Sequence, residues 1–194
     1  PWQQSRGACW ARAEVMARYD GEEFFLQLDS HHRFVPGWDV VVIDELQRAP
    51  SAKPVLTAYV TPYDPERPDE REHLPMQMNF DRFTEQGIVL CRPGELRDWR
   101  SLSRPARARF LSAHFLFAPG SFVREVPYDP DLYFTGEEIT MAVRAFTHGY
   151  DLFHPHIAGP LNFPDQTGAL VSQGEKLIQI FTKYLNGNIS LDAR

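Results

Sequence analysis

The feature that most constrains the fold of this chain is a short apolar run that ends abruptly in polar side chains. The run covers residues 24–28 (FFLQL), opens after Gly21 and is closed by Asp29. Its mostly aromatic and branched side chains are typical of a strand that is buried on both faces in a parallel sheet. The sequence therefore predicts a buried parallel strand that carries polar groups at its carboxyl end.

The polar end of this run contains a carboxylate and an imidazole that can hold a metal ion. Asp29 and His31 lie two residues apart, and in extended backbone such side chains point to the same side, while Ser30 points away. A carboxylate with an imidazole suits Mn²⁺ or a similar divalent ion better than a structural zinc, which normally has thiolate ligands. On spacing alone, the alternative is that Asp29 and Ser30 cap a turn and the histidines are solvated.

Helical and strand patterns alternate along the first part of the chain. Ser5 can cap a helix over about residues 6–19, which leads directly into the apolar strand. A second helix is expected from Trp38 until Pro50 stops it, and residues 54–60 (PVLTAYV) have the composition of another strand. This order of helix, strand, helix and strand predicts an α/β fold.

The middle of the chain combines an expected loop, a hairpin and a second apolar run. Residues 61–75 contain four prolines and many charges, which predicts an exposed loop. Residues 76–83 and 88–91 are expected to pair as a hairpin beside the main sheet. The run 109–118 has small polar residues in its middle, which indicates the close approach of a ligand or another strand. We expect His114, within this run, to be a hydrogen-bonded histidine of the core or rim.

Two adjacent acidic residues mark the start of another helix. Thr135 and Glu138 have the spacing of a capping box, so we expect a helix from Gly136 to about Gly149. Capping would be a purely structural role for Glu138. Glu137 has no such role, and an acid pair at a helix start is a candidate for binding sugar hydroxyls or assisting proton transfer.

Two further histidines and a tail complete the chain. A short strand in the stretch 152–156 (LFHPH) carries His154 and His156 near its end. A second capping-box spacing precedes an expected C-terminal helix over residues 177–185. We treat residues 157–194 as a tail of a single domain that spans the chain.

Composition and charge exclude several classes of protein. With 194 residues, of which 43% are hydrophobic, the chain can form one domain with a substantial core. Its net charge of −6 argues against nonspecific binding to nucleic acid or to an anionic membrane. One basic run is interleaved with acidic and aromatic residues, so we expect a solvated rim. It consists of Arg97, Arg100, Arg104, Arg107 and Arg109.

Cysteine usage and hydropathy indicate a soluble protein of a reducing compartment. Cys9 and Cys91 have neither a metal-binding spacing nor a disulfide framework, which favours the cytoplasm. The sequence contains no run of about 20 apolar residues that could span a bilayer. We therefore expect no membrane span.

Five spaced motifs follow one another along the chain. They are residues 7–12 (GACWAR), 27–31 (QLDSH), 53–57 (KPVLT), 112–120 (SAHFLFAPG) and 136–138 (GEE). In this order they resemble the motifs of GlcNAc-transferase-type glycosyltransferases, whose eukaryotic members modify hydroxyproline on a cytoplasmic protein. The resemblance covers about residues 5–156, and its specificity comes from the order of the motifs, since Asp-x-His alone would be weak.

The resemblance implies a GT-A-like fold, a mixed sheet flanked by helices, and a metal-dependent transfer of sugar, with GlcNAc as the expected sugar. Asp29 and His31 match the family motif that holds Mn²⁺ against the diphosphate of a UDP-sugar donor. Arg12 resembles the family's helix arginine near the nucleotide, although a solvated arginine is the alternative. In mucin-type relatives no enzymatic nucleophile is evident, so Glu137 and Glu138 are expected to position the donor and a protein or glycan acceptor.

The chain departs from the family pattern at two places. The family begins with a strand and helix that cradle the uridine, and nothing precedes Pro1 to supply them, so we expect a fragment without the first nucleotide-binding strand. The family's third metal ligand is a histidine that follows the acid-pair helix, but the corresponding residues 159–163 (GPLNF) contain none. His154 or His156 would have to substitute, and we expect His156 because it lies nearer the strand's end.

These departures leave two alternatives to catalysis by transfer. A catalytically incomplete domain would act as a glycan-binding or protein-binding module. A metal-dependent hydrolase that uses Asp29, His31, His154 and His156 is less well supported, because nothing in the sequence resembles its general base.

Overall fold

The computed structural model describes residues 4–29, 32–63, 74–157 and 161–164 of the chain. These residues form both helices and strands, and apart from the short β2 the first part of the chain has the predicted order of helix, strand, helix and strand. The elements are α1 (Ala8–Met16), β1 (Phe24–Leu28), β2 (Arg33–Phe34), α2 (Trp38–Arg48), β3 (Pro54–Thr57), β4 (Pro62–Tyr63), β5 (Met76–Phe83), β6 (Val89–Glu95), β7 (Ala106–Arg107), β8 (Phe115–Pro119), α3 (Phe122–Glu125), α4 (Glu137–Thr147), β9 (Asp151–His154) and β10 (Leu161–Pro164).

The central element of the fold is a mixed sheet. It has five strands in the order β1-β8-β3-β9-β7. Strands β3 and β9 run parallel, whereas β8 is antiparallel to both β1 and β3, and β7 is antiparallel to β9. Helices cover this sheet, so the expected mixed sheet flanked by helices is confirmed.

Strand β1 has the predicted bounds but not the predicted environment. It is not a central parallel strand. Among the described residues it pairs only with β8, in antiparallel register with Leu26 opposite Phe117, and it therefore forms an edge of the sheet. Most of its side chains are half-buried. The apolar run reflects packing on both faces, which an edge strand can also have, so the pattern does not report strand direction.

Alternate residues of the strands divide the interior into two apolar clusters. Val55 and Leu116 belong to the cluster that also contains residues of α1, α3 and α4. Leu56 and Phe117, the next residues along the same strands, belong to the cluster that contains Val42 of α2. Because successive side chains of a strand point to opposite faces, α2 covers one face of the sheet and the other three helices cover the second. We call these the α2 face and the α1 face.

Two smaller sheets flank the central one. Strand β10 pairs antiparallel with β2, which follows the end of β1, and parallel with β4. Strands β5 and β6 form the predicted hairpin, with a register shift between Phe80 and Arg82. The hairpin is therefore confirmed, and its second strand extends to Glu95 rather than ending at residue 91.

Glycines, rather than capping side chains, precede helices α1 and α4. In the described part of the chain, neither Ser5 nor Thr135 caps a helix. Gly7 precedes α1 and Gly136 precedes α4, and no side chain caps the start of either helix. Gly7 has a φ of 101°, and a Cβ there would collide with the backbone of Tyr133, whose carbonyl oxygen accepts a hydrogen bond from the Ala8 N–H at 3.1 Å. The backbone itself thus satisfies this helix end.

Two elements, α1 and β3, are shorter than the sequence predicted. Helix α1 is shorter at both ends than predicted, and the strand expected over residues 54–60 ends at Thr57. The five arginines of the basic run are exposed, which confirms the solvated rim. The expected loop lies mostly, and the C-terminal helix wholly, outside the described residues. Within the described ranges, no helix has the length and apolarity needed to cross a membrane.

Candidate active site

Three consecutive residues before β8 connect the elements that surround the candidate site. The N–H of Ser112 donates to Thr57 Oγ1 of β3 at 2.8 Å, and the N–H of Ala113 donates to Glu138 Oε1 of α4 at 2.9 Å. His114 Nδ1 lies 2.8 Å from Asp29 Oδ2, at the end of β1. We call residues 112–114 the junction. The close approach of another strand, one of the two possibilities predicted from the small polar residues of this run, is confirmed for β3 and β1, and α4 approaches as well.

A buried glutamine explains the polar residue within the apolar run. Gln27 Nε2 donates to the carbonyl oxygen of Ala113 at 2.6 Å and to the hydroxyl of Tyr128 at 2.9 Å. Burial raises the pKa of Tyr128 to about 12, so its hydroxyl stays protonated. Gln27 therefore binds the junction to β1 from the α1 face of the sheet.

Arg12 and His114 contact the carboxylate of Asp29 at the end of β1. Its Oδ1 lies 3.6 Å from the guanidinium of Arg12, and its Oδ2 contacts His114. The side chain of Asp29 is 34% exposed, so it remains accessible to a ligand. Arg12 also packs against the ring of Tyr128 and is not the solvated arginine of the alternative reading.

Arg12 also links Asp29 to the first acid of α4. Its second guanidinium nitrogen lies 3.7 Å from Glu137 Oε1, and the side chain of Glu137 is buried. Burial raises the pKa of Glu137 to about 7, and the charge of Glu138 acts in the same direction, although backbone hydrogen bonds and Arg12 oppose the shift. Glu137 can therefore exchange a proton near neutral pH.

Glu138 binds the junction rather than capping its own helix. Burial raises the pKa of Glu138, while the hydrogen bond from the Ala113 N–H opposes this shift. The hairpin lies near the same acid. Burial, together with the charges of Glu138 and Asp81, raises the pKa of the Cys91 thiol to about 11. The capping role predicted for Glu138 is therefore wrong, because its carboxylate accepts from the junction instead of from its own helix start.

A cavity of about 260 Å³ opens between α1 and β1 beside these charges. Most of its lining is apolar, and Arg12, Gln27 and Asp29 supply its polar groups. Such a combination suits a ligand with a flat or apolar part and an anionic part.

The structure brings together four of the predicted site residues, Arg12, Asp29, Glu137 and Glu138. His31 lies outside the described residues. Within those residues, no group of three or more His, Cys, Asp or Glu side chains is arranged to hold a metal ion. The predicted metal ligands therefore stay a prediction.

His156 has a partner on the α2 face. Its Nδ1 lies 3.0 Å from Oε2 of the fully buried Glu45, and its backbone N–H donates to the same oxygen at 2.9 Å. This interaction ties the segment after β9 to α2.

His154 lies deeper than His156, at the end of β9. Its Nδ1 donates to the carbonyl oxygen of Thr57 at 2.8 Å, and its Nε2 accepts a hydrogen bond from the Met78 N–H at 3.3 Å. Burial lowers the pKa of His154 to about 4, so the ring is neutral at physiological pH. His154 thus anchors the hairpin to the central sheet.

The prediction that His114 is a hydrogen-bonded histidine of the core or rim is confirmed, but the sequence did not identify Asp29 as its partner. The roles of Gln27 and Tyr128 were overlooked. A lone histidine in an apolar run carries no spacing signal, and its contact with Asp29 joins residues 85 positions apart. The one available signal was Gln27, because a polar side chain inside an apolar strand requires a buried hydrogen-bond partner.

Comparison with known proteins identifies the family of this chain. A family model described as glycosyltransferase (GlcNAc) matches residues 1–161. No curated protein matches the chain. The matched region contains the junction, the acid pair and the cavity, and it covers most of the 194 residues. The chain therefore belongs to the GlcNAc glycosyltransferase family.

Proposed function

We propose that this domain transfers a sugar, with GlcNAc as the first candidate, from a UDP-sugar donor to a hydroxyl of a protein or glycan acceptor. The observation that carries the proposal is the position of Arg12, which lies 3.6 Å from Asp29 and 3.7 Å from Glu137. One cation thus joins the carboxylate expected at the donor diphosphate to the buried acid expected at the reacting sugar.

The cavity between α1 and β1 is the proposed site of the donor. Its apolar lining can cover a nucleoside, and Arg12 lies where the diphosphate would follow. A guanidinium can bind phosphate oxygens with two parallel hydrogen bonds, so donor phosphates can compete with Asp29 and Glu137 for Arg12. This proposal includes a GT-A-like fold, in which the nucleotide binds at the end of the strand that carries Asp29.

Asp29 and His31 are the proposed ligands of Mn²⁺ or another divalent ion. The fit rests on donor chemistry, since carboxylate and imidazole suit such ions, and on the partial exposure of Asp29. His156 stays the proposed third ligand. Its Nδ1 is engaged by Glu45, so Nε2 would bind the ion, in the common arrangement of carboxylate, histidine and metal. When bound, the ion would stabilise the charge that develops on the departing diphosphate.

Glu137 and Glu138 have different proposed roles at the reacting sugar. Glu137 has a pKa of about 7, so it can accept the proton of an acceptor hydroxyl or hold a sugar hydroxyl by a hydrogen bond. Glu138 holds the backbone of the junction and positions the site through it. Both cysteines are free, which supports the cytoplasm as the proposed location.

Calorimetry with UDP, in the presence and absence of Mn²⁺, tests the donor site. We expect binding that requires the ion and that Asp29→Ala abolishes. Asp131→Ala is the matched control, because this aspartate is 84% exposed and pairs with Arg6. Equal binding with and without Mn²⁺ would remove the metal from the proposal.

Release of UDP from UDP-GlcNAc, with candidate acceptors present, tests catalysis itself. We expect turnover that Asp29→Ala abolishes and that Asp131→Ala leaves unchanged. Tight, metal-dependent UDP binding without any turnover would favour the alternative of a binding module.

A further inference from the structure

We propose that His114 is a positioning residue that fixes the orientation of the Asp29 carboxylate. The inference rests on the proposed function, because it gives Asp29 a ligand to hold. His114 is assigned no contact with donor or acceptor. Its effect passes through Asp29, whose Oδ2 lies 2.8 Å from His114 Nδ1.

His114 contacts Asp29 through both its backbone and its side chain. The Asp29 N–H donates to the His114 carbonyl oxygen at 3.2 Å, which extends the ladder between β1 and β8 one residue beyond the pair of Leu28 and Phe115. The imidazole contacts one oxygen of the Asp29 carboxylate, Oδ2, while the other oxygen, Oδ1, lies 3.6 Å from the guanidinium of Arg12. The two oxygens therefore have different partners, and this difference specifies the rotation of the carboxylate.

The imidazole of His114 is itself held rigidly. Its ring stacks on the ring of Tyr59, with centroids 4.7 Å apart and an angle of 4° between the planes. The side chain is buried, and the backbone N–H of His114 donates to Ser112 Oγ at 3.3 Å, which fixes the main chain that carries the ring. His32 packs against it from another direction at a centroid distance of 4.7 Å. A ring confined in this way presents Nδ1 in one place.

This rigidity matters because Asp29 ends an edge strand and is partly exposed. The last torsion of an aspartate is broad, so without a partner the carboxylate would sample many rotations. A ligand group has to be held within roughly 0.5 Å of its productive position, and neighbouring hydrogen bonds commonly supply that order. His114 removes this freedom before any ligand binds.

Substitutions at His114 separate positioning from packing. Asparagine carries an N–H donor at nearly the place of Nδ1 but lacks the ring, whereas alanine lacks both. We expect His114→Ala to weaken Mn²⁺ binding, measured by electron paramagnetic resonance on the full chain, by about 10- to 100-fold. We expect His114→Asn to restore most of this loss, although it loses the stacking on Tyr59 as fully as alanine does. His148→Ala, at an exposed histidine of the same protein, should leave binding unchanged.

Thermal unfolding of the same variants provides the structural reference. Positioning predicts that the two His114 variants have similar melting temperatures but different Mn²⁺ affinities. If both lose affinity equally, in proportion to their loss of stability, His114 only packs and the proposal is wrong.

A measurement without metal or donor tests the contact independently of the proposed function. Two-bond ¹H–¹⁵N spectra of the full chain, assigned with His114→Ala, should show the His114 hydrogen on Nδ1, and Asp29→Ala should shift that nitrogen. A missing Nδ1 hydrogen, or no response to Asp29→Ala, would overturn the positioning role. If the contact is present but the wild-type chain binds neither Mn²⁺ nor UDP, the proposed function fails while the Asp29–His114 link stands.

Discussion

Glu138 accepts a hydrogen bond from the backbone N–H of Ala113 at 2.9 Å, and this contact fastens the start of α4 to the junction. Ala113 is buried, so removal of the acceptor would leave its N–H without a partner. We expect Glu138→Ala to lower the free energy of unfolding by about 1–3 kcal/mol. Glu138→Gln keeps the accepting oxygen and should lose clearly less. Equal losses in urea titrations of the two variants would contradict a role for this oxygen.

The raised pKa of Glu137 predicts a stability that depends on pH. Below its ordinary value of 4.5 the carboxyl is protonated in both folded and unfolded chains, but up to a pH of about 7 only the folded chain keeps the proton. The free energy of unfolding should therefore fall as the pH rises through this window, by at most about 3 kcal/mol. Glu137→Gln carries no titrating group, so the difference in stability between variant and wild type should grow from pH 5 to pH 8.

The same substitution separates the site from the scaffold. If Glu137 acts on the reacting sugar, Glu137→Gln should impair sugar transfer while its relative stability increases at pH 8. Retained transfer in this variant would show that the acid is only structural.

The pair formed by Glu45 and His156 predicts a large loss on truncation. Glu45 is fully buried, and its Oε2 accepts from both the backbone and the ring of His156. Glu45→Ala leaves both groups without their acceptor, and we expect a loss of about 3–5 kcal/mol in the free energy of unfolding. Glu45→Gln retains an accepting oxygen and should lose less. Denaturant unfolding at pH 7 measures both losses. A Glu45→Ala variant that is as stable as wild type would contradict the pairing.

The start of α4 predicts that Thr135 contributes little to stability. The capping box in the sequence implies a loss of about 1 kcal/mol for Thr135→Ala, but no described side chain caps this helix. We therefore expect less than about 0.5 kcal/mol. Gly136→Ala should cost about 1–2 kcal/mol, because Gly136 has a φ of 95°. If thermal unfolding shows a larger loss of stability for Thr135→Ala than for Gly136→Ala, Thr135 caps the helix after all.

The sequence by itself determined where several elements begin and end. Local features of the chain predict the bounds of β1 and of the hairpin strand β5. They also predict that α4 starts after Gly136 and ends before Gly149. These features act through backbone preferences of a few neighbouring residues. A glycine that adopts positive φ ends or starts a helix whatever lies across the core, and both glycines do so here.

Only the tertiary structure decided which partner each polar group meets. Asp29 contacts His114 across 85 residues, and Glu45 contacts His156 across 111. The antiparallel edge position of β1 likewise depends on β8, which lies far along the chain. A residue pattern reports how many faces of an element are apolar, but it does not report which strand or side chain lies opposite. The site depends on those long-range pairings, because a carboxylate acquires its orientation and its pKa from the groups that folding places around it.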